Sequence, residues 1–183
     1  EVLPDDKLQG GVALRATESE VWLHPYVFRT VCSNGAIMAQ ALQTQHLTEL
    51  DQQDPDDADA ALREAIQACC VAEAFATSVR EFRTATETQA DLALNLSSVF
   101  SRLRLPNGSD LLRHILDQFF AEPDRSRFGL TNAITSVARD TRDPEVRWRL
   151  EELGGAVAAG RSSPPPAFDA RVRKSRRRRV AVA

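Results

Sequence analysis

From Pro25 to Ala41 the sequence runs PYVFRTVCSNGAIMAQA. Side chains alternate sides along an extended chain, so Tyr26, Phe28, Thr30 and Cys32 share one face and Val27, Arg29 and Val31 the other. Both faces are largely apolar, which predicts a strand covered on both sides. Arg29, flanked by two valines on its face, then requires a partner if it is buried. Ser33 or Asn34 supplies a helix N-cap, because a short polar side chain accepts from the free backbone donors of a first turn. Gly35 allows a tight turn there, and Ala36, Ile37, Ala39, Ala41 and Leu42 favour helix after it. The expectation is a strand running into a helix.

Before this stretch, residues 1–10 hold two Asp, a Pro and a Gly and read as a loop or fraying end. Gly11–Thr17 alternates Val12, Leu14 and Ala16 against Ala13, Arg15 and Thr17, as a half-buried strand does. Val21–Leu23 begins another strand, with a hairpin turn at Thr17–Glu20 and a bend or sheet edge at Pro25. These pieces predict at most three antiparallel strands, which need a helix packed on them.

After the sheet the pattern is helical. Asp54, Pro55, Asp56 and Asp57 form a helix start, with a cap, a proline at the first position and carboxylates near the positive end of the dipole. The segment that follows, Asp56–Thr84, puts Leu62, Ile66 and Cys69 on one stripe. Val71, Phe75, Val79 and Phe82 lie on nearly the opposite one. That is either one helix between two layers or two helices interrupted near Cys70. Ala90–Leu103 reads as helix; Pro106, Asn107 and Gly108 read as a turn, with Ser109 capping an amphipathic helix through Phe120. Leu130, Ile134, Val137 and Ala138 keep helical spacing. Asp143 and Pro144 start a last helix with the stripe Val146, Leu150, Leu153 and Val157, weakened at its end by Gly154 and Gly155. The fold class is therefore α+β: a short antiparallel sheet near the N-terminus, then five or six helices, in a single domain over residues 1–160. Residues 161–183, with Ser162, Ser163 and three prolines before an arginine run, read as a disordered linker and basic tail.

The string Arg29, Thr30, Val31, Cys32, Ser33, Asn34, Gly35 resembles the R-x-V-C-S-N-[GT] signature of phage- and plasmid-like proteins grouped as domain of unknown function 932. Leu130–Ala138, LTNAITSVA, is similar to the N-A-[IVL]-T helix of that family, and Leu150–Gly155 resembles its closing helix. The likeness spans residues 11–160. It implies an α+β domain carried by mobile elements and brings no catalytic residues with it. Family members have a longer region ahead of the first motif, so the resemblance also implies that a chain beginning at Glu1 is a fragment or truncated copy.

Charge separates function classes more sharply than any motif. The first 170 residues carry 16 basic against 26 acidic side chains, a net of −10, whereas Arg171, Arg173, Lys174, Arg176, Arg177, Arg178 and Arg179 give the tail +7. An acidic body argues against a broad nucleic-acid face on the domain, since duplex binding draws mainly on phosphate neutralisation. The tail is the expected nucleic-acid contact. No run approaches the roughly 18 apolar residues of a membrane span, and no leader pattern opens the chain, so a cytoplasmic protein without membrane partners is expected. Three cysteines, two of them adjacent, suit a reducing compartment.

The residues with chemical potential each have a plainer alternative. Cys32 precedes an expected helix N-terminus, which can favour a thiolate, or it is simply packed. Arg29 either binds an anion or pairs with a carboxylate, and Asn34 and Gly35 either present backbone donors to a phosphate or form a cap and turn. Asn132 and Thr135, three apart on a helix, form a polar patch or a buried hydrogen-bonded pair. His24, His46 and His114 fall in no metal-binding spacing, so neither metal nor other cofactor is expected. The readings that follow are a non-enzymatic accessory protein of a mobile element handling DNA through its tail, a protein-interaction or self-assembly module, and an enzyme using Cys32 or Arg29.

Overall fold

A computed structural model of the chain describes residues 8–29, 35–37, 44–97 and 107–161. Strands β1 (Leu8–Ala16) and β2 (Val21–Arg29) form an antiparallel hairpin, in register from Leu8 opposite Arg29 to Ala16 opposite Val21. The expected turn joins them: the Thr17 amide donates to the Glu20 carbonyl at 2.8 Å, and the Glu20 amide to Thr17 Oγ1 at 3.2 Å. Two three-residue strands, β3 (Gly35–Ile37) and β4 (Gln45–Leu47), pair antiparallel with the other edge of β2 at its opposite ends.

Three expectations change here. Gly35–Ile37 is strand rather than a turn entering a helix. The propensity of Ala and Ile for helix is worth a few tenths of a kcal/mol per residue; against it stand the ladder with β2 and near-complete burial of Ala36 and Ile37. Among the described residues the sheet has four strands, where at most three were expected. Pro25 is neither bend nor edge but lies in the middle of β2, opposite Val12. It falls between the segments that pair with β3 and β4, so its missing N–H interrupts no ladder on that side.

One face of β2 is roofed by two helices. Val21 and Leu23 pack with Ala65 and Cys69 of α1 (Pro55–Cys69), and Val27 with Phe82 and Ala85 of α2 (Ala72–Glu87). The interrupted reading of Asp56–Thr84 holds: Cys70 ends α1 and Val71 is extended. The break re-aims the chain so that Phe75 lies over Gly10, where a Cβ would meet its ring at 2.5 Å. Ile66 and Val71, expected on apolar stripes, are exposed. The start of α1 is as expected, with the Asp54 side chain accepting from the Asp56 amide and Pro55 at the first position.

The remaining helices build a second core. From α3 (Gly108–Ala121), α4 (Arg127–Asp140) and α5 (Pro144–Ala158) come Ile115 and Phe119, Leu130, Ile134 and Ala138, and the full expected stripe Val146, Leu150, Leu153 and Val157. Helix α3 is capped by Asn107 in a left-handed conformation rather than by Ser109. Within Ala90–Leu103 the described residues hold a π-helical turn, Ala93–Ser97, and Leu96 joins this core. Gly154 does not end α5. It lets α5 approach α4, since a Cβ there would meet Thr135 Cγ2 at 2.7 Å.

Gly35 has a comparable packing role in β3: a Cβ at that position would overlap the Tyr26 phenol. Gly35→Ala therefore forces the Tyr26 ring off its site, an overpacking cost of about 1–3 kcal/mol. Urea denaturation should show that loss, and Tyr26→Ala in the same chain should recover part of it. Equal stability of wild type and Gly35→Ala would show that the ring is not held there.

Candidate functional site

The residues of β2 that alternate with its core-facing valines and leucine are Trp22, His24, Tyr26 and Phe28. Trp22 stacks on His46 of β4, ring centroids 4.7 Å apart. His24 and Tyr26 meet α5, at Trp148 with a centroid distance of 5.6 Å and at Glu151 with a Tyr26 Oη to Oε1 distance of 3.5 Å. Helix α5 thus presents its apolar stripe to α3 and α4 and a second face, Arg147, Trp148 and Glu151, to the sheet.

Between that second face and β1 runs an open groove of about 340 Å³. Its sheet side is Val12, Ala13, Leu14 and Tyr26, and its helix side Pro144, Arg147, Trp148 and Glu151. Gly11, opposite Tyr26 in the register, leaves the phenol uncovered, and a Cβ on it would meet nothing within 4 Å. The helix is pinned beside β1 by ions: Arg15 Nη2 lies 2.8 Å from Glu145 Oε2, and Arg149 Nε donates to Glu145 Oε1 at 2.9 Å. Few polar groups converging on a partly apolar cleft of this size is the usual composition of a binding site.

The ionisable groups here are displaced from their ordinary values. Glu151, with a side chain 10% exposed, accepts from Arg147 Nε at 2.9 Å. Burial nevertheless raises its pKa, against the lowering effect of Arg147 and Tyr26. The Tyr26 phenol is pushed up to about 12, first by burial and then by the Glu151 charge. Glu152, half-buried next to Trp148, Arg15, Glu145 and Arg149, is raised by burial to about 7. His24 is lowered by burial to about 4, and its Nδ1 lies 3.3 Å from Thr44 Oγ1. A neutral imidazole and a carboxyl poised near neutrality therefore sit on the same side of the sheet.

The residues singled out from sequence lie elsewhere. Arg29 ends β2 opposite Leu8. Cys32, Ser33 and Asn34, and the tail residues Arg171, Arg173, Lys174, Arg176, Arg177, Arg178 and Arg179, lie outside the described residues. Gly35, Asn132 and Thr135 do come together, around a cavity of about 10 Å³ whose other walls include Val27, Phe82 and Thr131. That is the volume of a single water. Thr135 Oγ1 donates to the carbonyls of Thr131 at 3.0 Å and Asn132 at 3.2 Å, so its hydroxyl serves the helix rather than a ligand.

No family model, curated protein or solved structure matches the chain. Among the described residues no group of His, Cys, Asp and Glu could hold a metal ion, and no helix is long and apolar enough to cross a membrane.

The groove residues escaped the sequence reading because Arg147 and Glu151, four apart on α5, look like an ordinary exposed ion pair. Trp148 between them was the available signal, since a large aromatic on a polar face needs cover.

The shifted groups give opposite pH slopes. His24 binds its proton more readily when unfolded, so stability is complete above about pH 6.5 and is lost as pH falls through about 4. Glu152 holds its proton more tightly when folded, so its contribution is present below about pH 4.5 and is lost as pH rises through about 7. Between these limits the two oppose each other. Glu152→Gln should remove the second slope, so that unfolding free energy changes with pH more positively than in wild type from about 4.5 to 6.5, while Glu151, also raised by burial, keeps its falling contribution in both proteins. Denaturant titrations of wild type and variant across that window check this, and parallel profiles would show that Glu152 ionises normally.

Proposed function

We propose that this chain is a non-enzymatic accessory protein of a mobile element, an acidic scaffold that handles nucleic acid through Arg171–Arg179. The observation that carries the reading is the charge partition: all 26 acidic side chains precede residue 171, and seven of the 23 basic ones fall within residues 171–179. Phosphate neutralisation by such a segment is independent of base sequence and needs no groove-reading surface. The likeness of Arg29–Gly35 to the signature of phage- and plasmid-like proteins supports the same direction.

The fates of the described candidate residues also support a scaffold. Gly35 makes room for Tyr26, Thr135 bonds its own helix, and Gly154 admits the neighbouring helix. Cys69, buried, donates its thiol to the Leu23 carbonyl at 3.7 Å and has its pKa raised by burial, the opposite of what a nucleophile requires. A second reading, a protein-interaction module, is favoured by the groove beside β1.

Fluorescence anisotropy with labelled single- and double-stranded DNA across a salt series tests the first reading. The full chain should bind both, with log affinity falling against log salt at a slope no steeper than about −5 on single strands, about 0.7 per neutralised phosphate. Replacing Arg176, Arg177, Arg178 and Arg179 by Ala should flatten the slope and weaken binding at least tenfold. Binding that survives unchanged would move the contact to the folded body, and no binding by either protein would remove the nucleic-acid reading.

A further inference from the structure

Strand β1 is an edge: among the described residues β2 lies on one side of it and no strand on the other. Which of its backbone groups face outward follows from the turn. The Thr17 amide bonds the Glu20 carbonyl, and hydrogen-bonded pairs alternate along an antiparallel ladder, so Arg15, Ala13, Gly11 and Gln9 bond to β2. Leu8, Gly10, Val12, Leu14 and Ala16 therefore direct their amides and carbonyls away from it. Val12 stands opposite Pro25, which has no amide to offer, in agreement with this alternation. Proteins normally blunt such an edge with proline, a bulge or charge. β1 has no proline and no bulge, and its one charged side chain, Arg15, is engaged with Glu145. The helix layers lie over β2, β3 and β4. They reach β1 near its ends, through Glu145 at Arg15 and Phe75 over Gly10, and the open groove leaves its middle clear.

We infer that β1 pairs antiparallel with β1 of a second copy about a two-fold axis at Val12, joining the two sheets into one. Val12 is the centre of the strand, so this register alone pairs all nine residues with their outward groups matched: Val12 with the partner's Val12, Gly10 with the partner's Leu14, and Leu8 with the partner's Ala16. The side chains are self-complementary in it. Leu14, 48% exposed on the face it shares with Leu23, comes beside the partner's Gly10, over which Phe75 lies, so the ring of each copy covers the leucine of the other. On the opposite face Gly11 meets the partner's Ala13 and Arg15 meets the partner's Gln9, which holds the two arginines at opposite ends of the ladder with no like charges facing. Area sets the strength. A strip about 30 Å long and about 10 Å tall removes roughly 300 Å² from each copy before helix side chains are counted. The pair lies below the roughly 1,200 Å² at which stable complexes begin, which makes the dimer weak and reversible.

The dimer deepens the interaction reading by naming a partner and owes nothing to nucleic-acid contact. Sedimentation equilibrium and hydrogen exchange of the full chain, without nucleic acid, test it. The average mass should rise from one copy toward two between micromolar and millimolar concentration. Salt should not reverse this, because two bodies of net −10 repel and added ions screen them. Over the same range the amides of Gly10, Val12 and Leu14 should become protected, while those of Gly11 and Ala13, bonded to β2, stay protected at every concentration. Val12→Pro removes an outward amide at the axis and none from the hairpin, and should raise the dissociation constant at least tenfold. Leu14→Lys, at an exposed position, should do the same with its thermal midpoint nearly unchanged, which keeps the test decisive where the proline disturbs the fold. A chain monomeric throughout overturns the inference and leaves the groove to a different partner. A dimer that both variants leave intact also overturns it, as does one that salt dissolves without protection of the outward amides, since the basic segment would then join the copies. Outward amides protected equally at every dilution count against it too, the edge then being covered within one chain.

Discussion

Helix α5 has no face left wholly to solvent over its second half, and the rest of the domain is arranged around that burial. Val146, Leu150, Leu153 and Val157 complete the core of α3 and α4, while Trp148 and Glu151 turn to the sheet and Ala158 joins the cluster under α2. A helix gripped from two sides must place a polar residue where its second layer begins, and Glu151 is that residue. Its carboxylate is tolerated because Arg147 and Tyr26 both address Oε1. Removing one partner from a buried pair is more damaging than replacing the pair, since it strands the other group. The half-exposed guanidinium of Arg147 softens that penalty, and it also keeps a cation at the groove. Close approach on the opposite side depends on Gly154, so the same helix is defined by an ion pair on one face and a missing side chain on the other.

Legibility of the fold followed how local its causes were. The starts of α1 and α5 are set by one cap residue and one proline, and both were readable from four or five letters. The stripe of α5 was readable because helical spacing alone puts its members together. Gly35–Ile37 was not, because Ala and Ile favour helix locally and only the distant β2 offers them a ladder. Pro25 was misleading for the same reason: its place in β2 is harmless only because two short strands leave a gap opposite it. The groove was invisible for a different reason. The polar face of α5 has the composition of a solvated face, and nothing in its spacing shows that β1 lies alongside.

Gly35 meets Asn132 and Thr135 in space, and their meeting is mechanical. The three border a cavity no larger than a water molecule, between β2, β3, α2 and α4. Small residues at such a junction let a sheet and two helices close on one another, and a larger side chain at any of them would separate the layers.

The acidic body and the basic segment carry opposite charge within one chain. A segment carried on the same chain meets its own domain at an effective concentration of order millimolar, so weak charge contacts count for more than they do between separate molecules. A polyanion competes from outside at far lower concentration but offers denser charge, and its advantage shrinks as salt rises because the Debye length falls to about 8 Å at physiological ionic strength. The same screening weakens attraction between the acidic body and the basic segment, so added salt loosens contacts within the chain and contacts with an outside polyanion alike.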